Sequence, residues 1–223
     1  MLECGLKIKI NTKALFYFLL LLPFFPVEYI VYCFPFIGRL CTYTRILVFV
    51  ILMLRFFVRR KISVPLIFAG IIIISSLISA FMADISIYTS LYNSVYLLGI
   101  TLLVEDGVKN DIESFIEGSL FLFEILTYAN LIFYIFNPEG YITGHYLLGN
   151  KNTVVRKILP GIVLGALHAY KIKSRITLRF SIMIFSLLFF LMCSGAITGT
   201  LGALIFVIVL LYSMLKKVWD LKV

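Results

Sequence analysis

The residues best suited to chemistry are concentrated in one polar segment, residues 137–157, which lies between long apolar runs. His145 can act as a general acid or base near neutral pH. The cations of this segment can recognise phosphate through charge-assisted hydrogen bonds. A solvated histidine and cations that only touch lipid headgroups are the simpler alternative. We predict a polar site here, with His145 and Arg156 as catalytic residues and with substrate contacts from Asn150, Lys151, Asn152 and Lys157.

A second candidate, Glu124, lies near the middle of an apolar run. Ionisable groups inside a membrane are costly and therefore often functional. Glu113, Glu117, Glu124 and Tyr128 share one helical face by their spacing. The stripe predicts either a polar cavity with Glu124 as a catalytic or cation-binding group, or an interhelical hydrogen bond. In both cases we expect Glu124 to face other helices rather than lipid.

Ser194 and Thr198 flank the small-residue motif Gly195-x-x-x-Gly199 and are further candidates for substrate binding. Both this motif and Gly161-x-x-x-Gly165 favour close helix packing. The four cysteines show no metal-binding spacing, and no nucleotide or hydrolase motif occurs. We therefore expect neither a metal nor a cofactor.

The composition indicates an integral membrane protein. Hydrophobic residues make up 62% of the chain, charged residues 14%, and the mean hydropathy is +1.07. In lipid the backbone must satisfy its own hydrogen bonds, so runs of this length form helices. We predict an all-α, polytopic transmembrane bundle forming one domain over residues 1–223. Its eight spans lie near 14–35, 41–58, 62–83, 87–104, 113–136, 154–171, 179–195 and 198–215.

The distribution of cations predicts the orientation of these spans. With the N-terminus inside, fourteen Lys and Arg residues are cytoplasmic and only Arg39, Arg45, Lys151, Arg156 and Lys157 are external. Cytoplasmic loops carry this excess as a rule. We therefore predict cytoplasmic N- and C-termini and an external 137–157 loop. The net charge of +9 then reflects the membrane topology. Nucleic-acid binding is not indicated, because no basic patch in the sequence is interleaved with aromatic residues that could stack on bases.

Two of the predicted spans contain residues that disturb a membrane helix. Arg45 and Arg55 bracket the apolar centre of the second span, and we expect both side chains to extend to opposite interfaces. Pro23 and Pro26 should kink or unwind the first span. Glu28, just after these prolines, is either a solvated interfacial residue or a neighbour of the external site.

Two stretches together resemble the O-antigen polymerase and ligase family. They are Leu148-Gly-Asn-Lys-Asn-Thr153, and Leu191-Met-Cys-Ser-Gly-Ala-Ile-Thr-Gly-Thr200 at the entry to a later helix. The resemblance covers about residues 135–215. It implies a membrane glycosyltransferase in the bacterial plasma (inner) membrane that polymerises capsular or exopolysaccharide repeat units carried on undecaprenyl pyrophosphate. The implied partners are the lipid bilayer, the lipid-linked oligosaccharide and other polysaccharide assembly proteins, with Arg156 at the position of a pyrophosphate-binding arginine.

The chain departs from this pattern in two places. Gly195 stands where the family usually has an arginine, and the family's large external loop is absent. We therefore expect an incomplete chain that is inactive alone. Two other classes stay open: a transporter or flippase in which the Glu124 stripe couples transport, and a non-catalytic scaffold of a polysaccharide assembly system.

Overall fold

A computed structural model describes residues 11–59, 62–83, 86–169 and 177–194. It also describes residues 201, 202, 204, 205, 207–209 and 212, and each of these is helical. The fold is all-α, as predicted. Its helices are α1 (Thr12–Leu21), α2 (Glu28–Cys33), α3 (Pro35–Arg59), α4 (Val64–Met82), α5 (Ile87–Asn110), α6 (Ile112–Phe136), α7 (Lys151–Leu167) and α8 (Leu178–Ser194). Two short strands, β1 (His145–Tyr146) and β2 (Gly149–Asn150), pair antiparallel before α7.

Four of these helices, α3 to α6, are long and apolar enough to cross a membrane. Their bounds follow the predicted spans closely for α4 and α6. The helices α3 and α5 are both longer than predicted: α3 begins at Pro35 rather than at residue 41, and α5 continues to Asn110 rather than ending at residue 104. Shorter apolar helices cover Thr12–Phe24 and Leu178–Cys193.

The first apolar run is broken where the sequence predicts. Helix α1 ends at Leu21, a single 3₁₀ turn covers Leu22–Phe24, and α2 begins at Glu28. Proline has no backbone N–H and clashes with the preceding turn, so the regular helix cannot continue through Pro23 and Pro26. Carbonyl oxygens freed by the break need donors from elsewhere in the molecule, because lipid offers none.

Arg45 supplies donors to the first of these carbonyls. Its Nε and Nη2 donate to the Pro23 carbonyl oxygen at 3.3 and 2.9 Å, and Nη1 donates to the Tyr92 hydroxyl. The guanidinium lies 5.8 Å from the ring centre of Phe24 and 5.1 Å from that of Tyr96. The expectation that Arg45 extends to the interface is therefore wrong: the side chain is 5% exposed and fastens α3 to the break.

Helix α6 is the centre of the better packed half of the bundle. It contacts α1, α5, α7 and α8. The backbone of α1 approaches it closely at Gly118. At Gly118 an added Cβ would lie 2.1 Å from the Ala14 carbonyl oxygen. The predicted packing role of Gly161-x-x-x-Gly165 is confirmed, because added Cβ atoms would meet Phe123 at Gly161 and Phe180 at Gly165.

The other half is a thinner layer in which α5 packs on both α3 and α4. Helices α3 and α5 run parallel, since Arg45 contacts Tyr92 near one end and Arg55 contacts Asp106 at the other. Successive membrane helices alternate in direction, so α3 and α5, which are separated in sequence by α4, are expected to run parallel. The described helices therefore share two ends, one with the β1–β2 hairpin and one with the α5–α6 junction.

Candidate functional site

The predicted polar segment folds as a compact cap over the hairpin end of the bundle. Strands β1 and β2 are joined by Leu147 and Leu148, and Leu148 is completely buried. The Leu148 amide donates to the Asn130 side-chain oxygen of α6 at 3.3 Å, and the Leu147 carbonyl accepts from the Tyr29 amide at 3.1 Å. The segment thus reaches back into the bundle instead of forming an open loop.

Gly149 allows this close approach. Its φ of +118° lies in the left-handed region, and an added Cβ would stand 2.2 Å from a carboxylate oxygen of Glu28. Only glycine satisfies both conditions without strain. The glycine-rich character of the segment therefore has a packing cause at this position.

Lys157 joins the cap to the helix break in the first apolar run. Its Nζ lies 3.0 Å from the carbonyl oxygens of Pro26 and Leu148 and 3.0 Å from a carboxylate oxygen of Glu28. An ammonium has three N–H groups, and these acceptors use all three. The structure therefore gives Lys157 an internal role in place of the predicted substrate contact, and it makes Glu28 a structural partner of the cap.

Asn150 is also engaged locally. Its side-chain oxygen accepts from the Thr153 amide at 2.9 Å and from the Thr153 hydroxyl at 3.1 Å, which makes it the N-cap of α7. Asparagine is among the best residues for this position. Asn150 contributes to a site by starting α7, and only its amide nitrogen is left to contact a ligand.

Exposed polar groups are concentrated on the first turns of α7. Lys151, Asn152 and Arg156 are exposed, and Asn152 and Arg156 share a face because they are four residues apart. Within the described part of the chain, no acceptor lies on the Arg156 guanidinium. The N-terminal end of a helix carries partial positive charge. This end of α7 is consequently an anion-attracting surface at the hairpin end.

His145 lies next to this surface. Its Cα pairs with that of Asn150 in the hairpin, so the imidazole and the α7 N-cap are cross-strand neighbours. The His145 amide donates to the Ile142 carbonyl at 2.6 Å, and its own carbonyl accepts from the Tyr141 amide at 2.8 Å. The ring is half-buried, 5.9 Å from the Tyr141 ring centre. Burial raises the pKa of the Tyr141 hydroxyl, which therefore stays protonated beside it.

Glu124 faces the bundle, which confirms that part of the prediction. It is 7% exposed and receives both Nε and Nη2 of Arg179 from α8 in a two-pronged ion pair. The interhelical contact anticipated for Glu124 is therefore an ion pair. Both oxygens of the Glu124 carboxylate are bound by Arg179, so a catalytic role for Glu124 would require this pair to open, and that role stays a prediction.

The remaining predicted residues cannot be placed with the others. Ser194 is the last residue of α8, and its side chain lies outside the described part of the structure. Thr198 lies outside the described residues altogether. Among the described residues, no group of His, Cys, Asp and Glu is arranged to hold a metal ion.

Sequence reasoning missed a polar cluster at the opposite end of the bundle. Arg55 pairs with Asp106 at 2.8 Å, Lys109 pairs with Glu105, and the Ser63 hydroxyl donates to Glu105 at 2.7 Å. Four of these residues, Arg55, Glu105, Asp106 and Lys109, line a cavity of about 320 Å³ between α3 and α5. The spacing of Glu105 and Lys109 would have revealed a helical ion pair, but ending the span at residue 104 assigned both to a loop.

Comparison with known proteins gives no match: no family model fits the chain, and neither a curated protein nor a solved structure shows significant similarity to it.

Proposed function

We propose that this chain is a polysaccharide polymerase-like membrane glycosyltransferase that acts on undecaprenyl-pyrophosphate-linked repeat units at the outer face of a bacterial plasma membrane. The observation that carries the proposal is the exposed guanidinium of Arg156 at the positive end of α7, without a protein acceptor among the described residues. A planar guanidinium binds the oxygens of a pyrophosphate in pairs. The resemblance of residues 148–153 and 191–200 to the O-antigen polymerase and ligase family supports the same substrate.

The chemistry requires one bond to form and one to break. A hydroxyl of the acceptor sugar attacks the anomeric carbon of the donor, and the bond from that carbon to the pyrophosphate oxygen breaks. His145 would take the hydroxyl proton as general base. Arg156, with Asn152 on the same face, would stabilise the charge that develops on the departing pyrophosphate. Undecaprenyl pyrophosphate leaves as the anion, so no cofactor enters the balance.

The proposal includes a topology of eight spans with both ends of the chain cytoplasmic. Four long apolar helices and the shorter apolar helices α1 and α8 would supply six of the eight spans, and the excess of cations on one side supports the direction. Single cysteines at Thr143 and Ser174, in a cysteine-free background, should react oppositely with an impermeant thiol reagent. Labelling at Ser174 alone would overturn the orientation and place the α7 surface in the cytoplasm.

The functional test uses Arg156. In a strain whose polymer depends on this chain or on a longer version of it, Arg156→Lys and Arg156→Gln should both shorten the polymer on a gel, because lysine lacks the paired donors. Arg39→Lys is the matched control, since Arg39 is a second exposed arginine predicted to be external. If lysine replaces Arg156 without loss, the residue touches headgroups as a simple charge and the pyrophosphate role is wrong.

A transporter or flippase is the main alternative, and it depends on Glu124 as a coupling group. In this structure the carboxylate is already bound in two places by Arg179. A transport cycle would have to break that pair and replace it with a cation or proton. Lipid-linked repeat units retained on the cytoplasmic side in cells carrying Glu124→Gln would favour this alternative, whereas units that reach the outer face but stay unpolymerised would favour the glycosyltransferase.

A further inference from the structure

A cluster of tyrosine rings lies at the hairpin end of the bundle, where α2 meets the cap. The ring centre of Tyr141 lies 5.1 Å from that of Tyr29 and 5.2 Å from that of Tyr32. The same ring lies 5.9 Å from the His145 imidazole. The cluster therefore extends from α2 to the residue proposed as the general base.

Part of this cluster is open to a ligand. Tyr32 is 60% exposed, and Tyr29 and Tyr141 are half-buried. The Tyr29 amide donates to the Leu147 carbonyl at 3.1 Å, which holds α2 against the cap. Tyrosine rings have few rotatable bonds, so a packed but exposed ring binds a ligand with little loss of side-chain entropy.

Single tyrosines at the same end show a different arrangement. Tyr43 and Tyr88, near the starts of α3 and α5, are 68% and 75% exposed. Neither ring contacts another aromatic ring in the part of the chain that the structure describes. Such tyrosines are typical of the aromatic belt at a membrane interface. Tyr32 differs from them because it belongs to a packed cluster with polar neighbours.

The Glu28 carboxylate adds a hydrogen-bond acceptor beside these rings. Its Oε1 accepts from the Lys157 ammonium at 3.0 Å, whereas Oε2 accepts no hydrogen bond from the described residues. The Glu28 side chain is 38% exposed. Burial and then the negative charge of Glu28 raise the pKa of the Tyr141 hydroxyl, as expected for close neighbours. The pair with Lys157 thus fixes the carboxylate and leaves one of its oxygens available.

Rings and a carboxylate side by side distinguish between classes of ligand. The Glu28 carboxylate repels an anion, and a cation gains little because Lys157 already neutralises that carboxylate. A lipid chain covers the rings but supplies no donor for Oε2. A pyranose sugar suits both parts of the surface. Its slightly positive C–H face packs on the negative face of a tyrosine ring, and its hydroxyls donate to the carboxylate.

We propose that Glu28, Tyr32 and Tyr141 form a binding site for a neutral pyranose ring. The C–H face of the sugar packs on Tyr32, and a hydroxyl donates to Oε2 of Glu28. Because the site adjoins His145, its occupant is the acceptor sugar of the reaction. That last assignment rests on the proposed glycosyl transfer, whereas binding of a pyranose does not.

The test is saturation-transfer NMR on the full chain in a polyoxyethylene detergent, because a sugar-based detergent would compete for the site. Methyl β-D-glucopyranoside is the probe, since all its ring substituents are equatorial and its ring faces carry only C–H groups. Saturation of the aromatic protons should reach these C–H groups at millimolar glucoside. Sorbitol, which has similar hydroxyls but no ring face, should receive much less. Equal transfer to both compounds, or transfer to neither, would overturn the proposal.

Matched variants locate the site. Tyr32→Leu should weaken glucoside binding about tenfold through loss of the ring, whereas Tyr32→Phe keeps the ring and should bind normally. Glu28→Gln still accepts from Lys157 but turns a charged acceptor into a neutral one, so it should weaken binding about fivefold. Tyr88→Leu removes an isolated exposed tyrosine and should change nothing. If Tyr32→Leu and Tyr88→Leu have equal effects, the sugar binds elsewhere and the assignment is wrong.

The outcome can be separated from that of the proposed function. The glucoside carries no phosphate and its binding does not depend on Arg156, whereas binding of the lipid carrier does. Glucoside binding without binding of the carrier would reject the glycosyltransferase and keep the sugar site. Carrier binding that depends on Arg156, without binding of the glucoside, would reject the sugar site alone.

Discussion

Helices α4 and α6 look similar in the sequence but have opposite roles in the molecule. In the most apolar 18-residue window of α4 the mean hydropathy is 2.4 and 11% of the residues are buried. In the corresponding window of α6 the mean hydropathy is 1.7 and 44% of the residues are buried. The less apolar helix is therefore the inner one. Lipid is as apolar as leucine, so burial in a membrane bundle favours polar and small residues that find partners on other helices.

The buried polar residues of α6 show this rule at work. Ser119, Glu124, Thr127 and Asn130 are all buried. Glu124 pairs with Arg179, and Asn130 holds the Leu148 amide of the cap. On α4 the large side chains, such as Ile74 and Phe81, are mostly exposed. A polar residue within an apolar run of this chain thus tends to face the protein interior. In soluble domains polar residues are mostly exposed.

The largest effect that can sharpen this comparison is loss of the Glu124 carboxylate. Glu124→Leu leaves Arg179, which is 39% exposed, without its partner, and we expect the free energy of unfolding in detergent to fall by about 2–3 kcal/mol. Adding Arg179→Leu should restore most of that loss, because no charge is then left unpaired. Glu113→Leu is the matched control, since Glu113 is exposed on the same helix. Equal effects of Glu113→Leu and Glu124→Leu would mean that the ion pair does not stabilise the bundle.

A pair of glycines tests the same contrast by volume rather than by charge. An added methyl at Gly118 of α6 would lie 2.1 Å from the Ala14 carbonyl oxygen, whereas at Gly70 of α4 it meets nothing within 4 Å. Gly118→Ala should therefore lower the free energy of unfolding by about 1–3 kcal/mol. Gly70→Ala should leave it unchanged or slightly higher, because alanine favours helix. Thermal unfolding in detergent measures both, and a Gly70→Ala loss as large as that of Gly118→Ala would contradict the packing described.

The smallest effect concerns the junction of α5 and α6, where the two halves meet. The Ser114 amide donates to Asp111 and holds the pKa of that carboxyl below its usual range, and Lys13 at 3.2 Å acts in the same direction. A lowered carboxyl pKa stabilises the fold above the ordinary value of about 4, and the gain is lost as the pH falls through the folded value.

Asp111→Ala should therefore lower the free energy of unfolding by about 1 kcal/mol at neutral pH. The difference from the parent chain should begin to shrink as the pH falls below about 4 and should vanish below the lowered folded pKa of Asp111. Asp111→Asn keeps a side-chain cap without the charge and should show a smaller loss with little pH dependence. A loss that stays constant between pH 7 and pH 3 would show that the charge contributes nothing.

Apolar runs and prolines were sufficient to predict α4, α6 and the break after α1. Residues 62–83 and 113–136 were predicted as spans and form α4 and α6 within two residues, since apolarity alone determines a membrane helix. The break at Pro23 and Pro26 was also predicted. The length of α5 was underestimated because two adjacent carboxylates, Glu105 and Asp106, are typical of the end of a span. In the structure both lie within the helix, where Glu105 accepts from Ser63 and Asp106 from Arg55.

The pairings between distant residues could not be read from a single sequence. Glu28 and Lys157 are 129 positions apart, and Glu124 and Arg179 are 55 apart. No feature of the local sequence distinguishes Lys157 from Arg156. Lys157 donates to three acceptors inside the cap, whereas the adjacent Arg156 is exposed. Only the phase of α7, set by its N-cap at Asn150, decides which of the two cations is exposed.

The most direct test of the proposed function is binding of the lipid carrier at Arg156. The full chain in detergent is titrated with undecaprenyl pyrophosphate, and with undecaprenyl monophosphate in parallel, and complexes are counted by native mass spectrometry. We predict that the parent chain prefers the pyrophosphate, that Arg156→Lys weakens this binding about tenfold through loss of the paired hydrogen bonds, and that Arg39→Lys leaves it unchanged. Unchanged pyrophosphate binding in Arg156→Lys would contradict the account.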